Sequence, residues 1–241
     1  MPRPSKGPRL YIRRRKGQVP VYVIRDGSAE VSTGCAPEDR VLERSEVARM
    51  LWACRRLTRQ GHKAAKGAVQ YTDYSHVIRF ILIGIYTGTR HDAILGLRWL
   101  ASVDGGHVDL KRGVIYRRGS LERETKKRRT PVHLVAKLRH QLQRFSDTDE
   151  RDGVAHVISH KGQRVTKMRR AWNTVRDAAG LGKDVTPHVL RHTCASWLLW
   201  GREAKGARPA QKPVTIWEVA GVIGADASTV EKVYGHHRRP E

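Results

Sequence analysis

The sequence predicts an α+β fold that is mainly helical, with a small antiparallel sheet at one edge and a short β-meander in front. Three observations carry that expectation. Apolar residues recur at helical spacing over residues 42–57, over 77–86 and in further stretches beyond 135. Between residues 99 and 134 the pattern changes to short strand-like runs. Residues 9–32 break into still shorter β-like runs separated by turn-type pairs that contain Gly.

Taken in order, residues 1–8 are rich in Pro, Arg, Lys and Gly, a composition that resists regular structure. Strand-like runs follow at 9–13, 20–24 and 29–32, with Lys16-Gly17 and Asp26-Gly27 between them. Three strands of this size are marginal alone, so the meander has to lean on the main domain or on a partner. A linker, Ala36 to Arg40, closes a basic N-terminal unit over 1–40. The main domain is expected over 41–241. Its first helix, Leu42 to Leu57, puts Val47, Met50, Leu51 and Cys54 on one side, with Ser45 as the expected cap. Residues 60–68 read as a polar loop. The helix Val77 to Tyr86 is apolar nearly all round and is expected at the centre of the domain, ending at Gly88. A short helix resumes at Asp92. Strands are expected at 100–103, 113–117 and 130–134, with a basic hairpin or loop over 118–129. Helices at 135–145 and 167–179 flank a short strand, 155–159, whose turn is Lys161-Gly162. Pro187 opens a helix that runs to Trp200, a loop covers 202–213, and two helices, 215–222 and 228–233, lead to Tyr234 and Gly235.

The charge narrows the function. The chain of 241 residues carries 47 Lys and Arg against 23 Asp and Glu, a formal net charge of +24. Such an excess repels itself in a compact fold and attracts polyanions, so the expected partner is nucleic acid. The cysteines, Cys35, Cys54 and Cys194, are far apart and lack metal-ligand spacing, and reduced thiols are expected. No apolar run approaches membrane-spanning length and no signal-peptide pattern opens the chain, so neither a membrane nor secretion is expected. Adjacent His236 and His237 have no carboxylate cluster beside them, so no metal site is expected.

Three stretches carry chemistry. The first, from Thr87 to Trp99, holds Arg90. The second, His188-Val189-Leu190-Arg191-His192, places His188 and Arg191 three apart on one helical face at a helix start, where anions bind. In the third, Tyr234 stands in the setting Val-Tyr-Gly-His. These motifs, in this order, resemble the catalytic domain of the tyrosine recombinases, the phage integrase family, over roughly Leu42 to Pro240. The resemblance implies that family's catalytic-domain fold. It implies site-specific breakage and rejoining of double-stranded DNA through a 3′-phosphotyrosine, without a cofactor. It further implies copies assembling as a tetramer at synapsed DNA, a phage or mobile-element origin, and a cytoplasmic, nucleoid-associated place in a bacterium.

By the same resemblance Arg90 and Arg191 are the catalytic arginines, His188 belongs to the His-x-x-Arg pair and Tyr234 is the nucleophile. The family's general-acid lysine lies on a β-hairpin. Here Lys126 is the better match and Lys127 the second. The remaining basic residues of that hairpin, Arg128 and Arg129, and of the meander, Arg13, Arg14 and Arg15, are expected on DNA phosphates with Lys127. Two departures stand out. Where the family usually has His or Trp after a Gly, this sequence has Gly224-Ala225, and alanine offers no hydrogen bond. The family's usual core-binding domain is not recognisable ahead of residue 41, which suggests a shortened integrase or one that acts with a partner. Two other functions fit the same residues: a type IB topoisomerase, and a DNA-binding remnant without catalysis.

Overall fold

The fold is built around one helix whose residues leave it no other place. The computed structural model describes residues 9–13, 21–26, 29–32, 40–60, 62–63, 69–70, 72–122, 129–202 and 210–234. Within these, α2 (Ser75–Thr87) carries Val77, Phe80, Ile81 and Ile83, none of which reaches solvent. α1 (Arg44–Gln60) covers it with Val47, Met50 and Cys54. Three buried polar residues, His76, Arg79 and Thr87, interrupt α2. Arg79 is buried, pairs with Asp149 through Nη1 and through Nη2 (2.9 Å), and donates to Val157 O (3.1 Å). Trp99 Nε1 donates to the same carboxylate at 2.8 Å. A buried charge is tolerated only when paired in this way.

Ahead of α1 lie β1 (Arg9–Arg13), β2 (Val21–Asp26) and β3 (Ala29–Ser32), an antiparallel meander in that order with Leu10 opposite Ile24 and Ile24 opposite Val31. After α1, β4 (His62–Lys63) pairs with β5 (Val69–Gln70), a small hairpin where a plain loop is expected. Two-residue strands are too short to leave a periodic signal in sequence. The α1 cap also differs from expectation. Ser45 lies inside the first turn, and it is the Glu46 carboxylate that accepts from the Glu43 backbone N–H at 2.9 Å.

After α2, α3 (His91–Leu95) leads into a three-stranded antiparallel sheet of β6 (His107–Asp109), β7 (Val114–Tyr116) and β8 (Val132–His133). The first strand is not at 100–103. Leu100 and Val103 are exposed, while Val108 is buried and takes the place in the sheet. The expected run is apolar, but it offers no face to the core.

α4 (Ala136–Arg151) extends six residues past the expected end at Phe145. The expected strand at 155–159 is shifted to β9 (Ser159–His160), which pairs with β10 (Gln163–Arg164) across Lys161 and Gly162, both with positive φ. α5 (Arg169–Ala178) packs on α1, and its Trp172 Nε1 donates to Val185 O at 2.8 Å. α6 (Val189–Trp200) lies against α2. The approach is close because α2 has Gly84 there: a Cβ would stand 2.7 Å from Leu190 Cδ1. α7 (Ile216–Ile223) and α8 (Ala227–Tyr234) follow, and α7 also meets β8.

The apolar interior falls into two parts. The larger is formed by side chains of α1 to α6 and the sheet. The smaller holds Ala195, Val219, Ala220, Ile223, Val230 and Tyr234. Cys54 and Cys194 are free and buried. No helix among the described residues is long and apolar enough to cross a membrane.

Candidate active site

The site grows from the two ends of helices. α2 stops because Gly88 takes a left-handed conformation (φ 60°) and returns its N–H to Gly84 O at 2.9 Å. Hydroxyls stiffen the turn: Thr87 Oγ1 reaches Ile83 O and Thr89 Oγ1, both at 2.6 Å, and accepts from Thr89 N at 3.2 Å. Arg90 comes next, at the N-cap of α3, in extended backbone. That leaves its side chain to cross toward α7, where Nη1 donates to Gly224 O at 3.1 Å.

α7 begins with a capping box, Thr215 with Glu218, and ends at Gly224 in left-handed conformation (φ 67°). A helix leaves its last carbonyls without intrahelical partners. Here side chains fill them. Thr130 Oγ1 donates to Gly221 O at 3.1 Å, Arg117 Nη2 to Val222 O at 2.6 Å, Arg191 Nη1 to Ile223 O, and Arg90 to Gly224 O. Arg191 Nη1 also donates to Gly88 O at 2.8 Å, so it ties the C-terminal end of α2 to that of α7. The partial negative charge at helix C-termini favours this gathering of cations.

Burial lowers the pKa of Arg191 to about 10, with the Arg90 charge adding to the fall and Tyr234 and Cys194 opposing it. Burial likewise lowers that of Arg90, helped by the Arg129 guanidinium and opposed by Tyr234. Both guanidiniums are charged at neutral pH.

Tyr234 ends α8 and is buried in the smaller apolar cluster. Its ring lies 5.5 Å from that of His192, and His192 lies edge-on to His188 at 4.6 Å. His188 is the N-cap residue of α6. The fold therefore brings Arg90, His188, Arg191 and Tyr234 to one place. His192 was not singled out by the motif reading. The signal available was its position four residues after His188, one helical turn on. Ala225 is half-buried beside the smaller cluster, and its N–H bonds to Ala220 O at 3.0 Å.

Arg129 forms an ion pair with Glu122. Lys126, Lys127, Arg128, Arg14 and Arg15 lie outside the described residues; Arg13 is placed only by the backbone of β1. A groove of about 1140 Å³ opens beside His188, with His91, Lys167, Arg169, Arg176 and Lys183 on its walls. Among the described residues no three His, Cys, Asp or Glu side chains form a cluster fit for a metal ion.

The structure is similar to that of XerA recombinase, with a TM-score of 0.54 and 19% identity, over 87% of this chain and 68% of the other. It is also similar to a lambda integrase dimer bound to a COC′ core site, with a TM-score of 0.51 and 14% identity, over 86% of this chain and 66% of the other. At these identities the likeness is one of fold. No curated protein matches the sequence. The phage integrase family model matches residues 40–202, a span that includes Arg90, His188 and Arg191 and stops short of α7, α8 and Tyr234. That match covers more than half of the sequence, and the chain belongs to the phage integrase family, the tyrosine recombinases.

Proposed function

We propose that this protein is a site-specific DNA recombinase that cuts and rejoins strands through a 3′-phosphotyrosine. The observation that supports this reading most is the convergence of two anchored arginines, Arg191 buried and Arg90 half-buried, with Tyr234 in their field. The Tyr234 oxygen attacks phosphorus, its proton leaves toward His188 or solvent, and the bond from phosphorus to the 5′-oxygen breaks. Arg90 and Arg191 hold the charge that builds on the non-bridging oxygens with rigid forks that need no reorganisation. The leaving 5′-oxygen takes a proton from Lys126 or Lys127. The phosphotyrosine conserves the bond energy, so a free 5′-hydroxyl can reverse the step without ATP.

The net charge of +24 and the basic groove beside His188 suit a duplex. Joining ends from two duplexes needs copies at synapsed DNA, and a tetramer is the assembly this reading expects. An origin in a phage or mobile element accompanies it, as does the division into a basic unit over 1–40 and a catalytic domain over 41–241.

Nicked suicide duplexes, followed by a denaturing gel, test the reading. The chain is expected to form a covalent protein–DNA adduct. Tyr234→Phe is expected to form none, with DNA affinity changed less than about threefold, because phosphate contacts rather than the nucleophile position the duplex. An adduct that persists in the Phe variant removes Tyr234 as nucleophile. Binding without any adduct in the unaltered chain leaves a DNA-binding remnant, the reading that Ala225 would favour.

A further inference from the structure

Arg117 belongs to none of the motifs, yet it lies at the centre of the site. It follows β7 directly and is 3% exposed. Its Nε donates to Thr89 Oγ1 at 2.9 Å, and its Nη2 to Thr87 O at 2.7 Å and Val222 O at 2.6 Å. One guanidinium thus grips the turn before Arg90 and the end of α7 together. Nη1 is buried and has no acceptor among the described residues. Arg191 and Arg90 are its charged neighbours, and burial with their repulsion pushes its pKa down to about 9. It is still cationic at neutral pH. Holding a third guanidinium against two others, with one nitrogen unsatisfied, is unfavourable by itself. Helix-end carbonyls offset that cost, and an apolar side chain there would leave Val222 O and Thr87 O one donor short.

We propose that Arg117 is a positioning residue: it locks the Thr87–Thr89 turn onto α7, whose next two carbonyls hold Arg191 and Arg90, and thereby sets where Tyr234 stands. Arg117 does not reach the phosphate in this role. It acts by fixing α7 and α8, whose apolar side chains lie in the smaller cluster. The inference deepens the strand-cleavage reading and rests on it for its catalytic consequence, but the docking of α7 and α8 is testable without DNA.

The test uses the full chain with Arg117→Met, which keeps length and removes the donors, and Arg117→Lys, which keeps charge and one or two donors. Backbone hydrogen exchange is read in residues 216–234 and 75–87. In the Met variant exchange is expected to rise about tenfold or more in 216–234 while changing less than about threefold in 75–87, the pattern of a local opening. At saturating suicide duplex, single-turnover adduct formation is expected to fall about 10²-fold with DNA affinity within about threefold, as for loss of a preorganised geometry. The Lys variant is expected to recover part of both. Unchanged exchange in 216–234, or an equal rise in both segments with no recovery by Lys, overturns the proposal. If the unaltered chain forms no adduct, the cleavage reading fails, and the exchange measurement still decides whether Arg117 holds α7 and α8.

Discussion

The two apolar clusters hold their helices by different means. The larger one buries Phe80, Ile81, Ile83, Met50, Leu142 and Trp172 almost completely, and its helices would find each other by apolar area alone. The smaller one buries six side chains, among them only small and medium aliphatics and Tyr234. Val222 packs against both clusters, and a polar seam adds to it: the row of carbonyls from Gly221 to Gly224, each met by a side chain from outside α7. A scaffold needs non-directional attraction. On the proposed reading, a nucleophile that must meet a phosphate at a set angle needs directional bonds, which fix geometry as well as proximity. The same division marks the family match, which covers the larger cluster's helices and ends before α7.

The comparison can be broken most forcefully in the larger cluster. Phe80→Ala removes a fully buried ring that meets Trp172 edge-on at 6.1 Å. It is expected to cost about 3–5 kcal/mol and to lower the whole-chain urea midpoint. A loss under about 1 kcal/mol would show that α2 is not the centre on which the fold rests.

Gly88→Ala acts at the junction of the two parts. A Cβ there would stand 2.7 Å from Ile223 Cγ2, in a left-handed backbone that alanine adopts poorly. About 1–2 kcal/mol of backbone strain is expected, with overpacking in addition. Because Gly88 O holds Arg191, adduct formation is expected to fall more than thermal stability does. Equal loss of both would merge the two parts into one cooperative unit.

Acid sharpens the contrast, because it strikes the larger part. His76 is buried on α2 beside His160, and burial, with repulsion from that neighbour, pushes its pKa down from 6.5 to about 4. Above pH 6.5 the ring is neutral in both folded and unfolded chains and costs nothing. Below 6.5 the unfolded chain takes a proton that the folded one refuses until about pH 4, so stability falls as pH drops through that window. The slope from this group is about 1.4 kcal/mol per pH unit. His76→Phe is expected to flatten it by one proton in urea titrations between pH 7 and 4.5, and an unchanged slope would assign the acid sensitivity elsewhere.

The smallest effect belongs to the α7 cap. Thr215→Ala removes the side-chain acceptor of the Glu218 N–H and breaks the capping box. A cost of about 1 kcal/mol is expected. It should appear as faster exchange within α7 with the urea midpoint of the larger part unmoved. A global shift instead would again argue for one cooperative unit.

Much of this was legible in the residues themselves, where the cause is local. Helical spacing alone places α2, α5, α6 and α7 to within a few residues, because burying one face demands that period. Gly88 marks the end of α2 because no other residue enters that conformation at so little cost. The order of Arg90, His188-x-x-Arg191 and Tyr234 is written in the chain, and the fold brings those residues together. Local pattern failed where burial was decided from afar. Leu100 to Val103 has the composition of a strand but finds no core, and Val108 does. The Arg79–Asp149 pair, 70 residues apart, turns an apolar helix into one with a charged anchor. His192 stands beside Tyr234 only because α8 folds back on α6. Arg117 lies 105 residues from the carbonyl it holds, and nothing in Tyr-Arg-Arg-Gly distinguishes it from the many surface arginines of so basic a chain. Sequence determines which residues can do chemistry and which segments coil. Which arginine is buried, and which helix end needs it, is decided only when two helix ends, both short of donors, are pressed together.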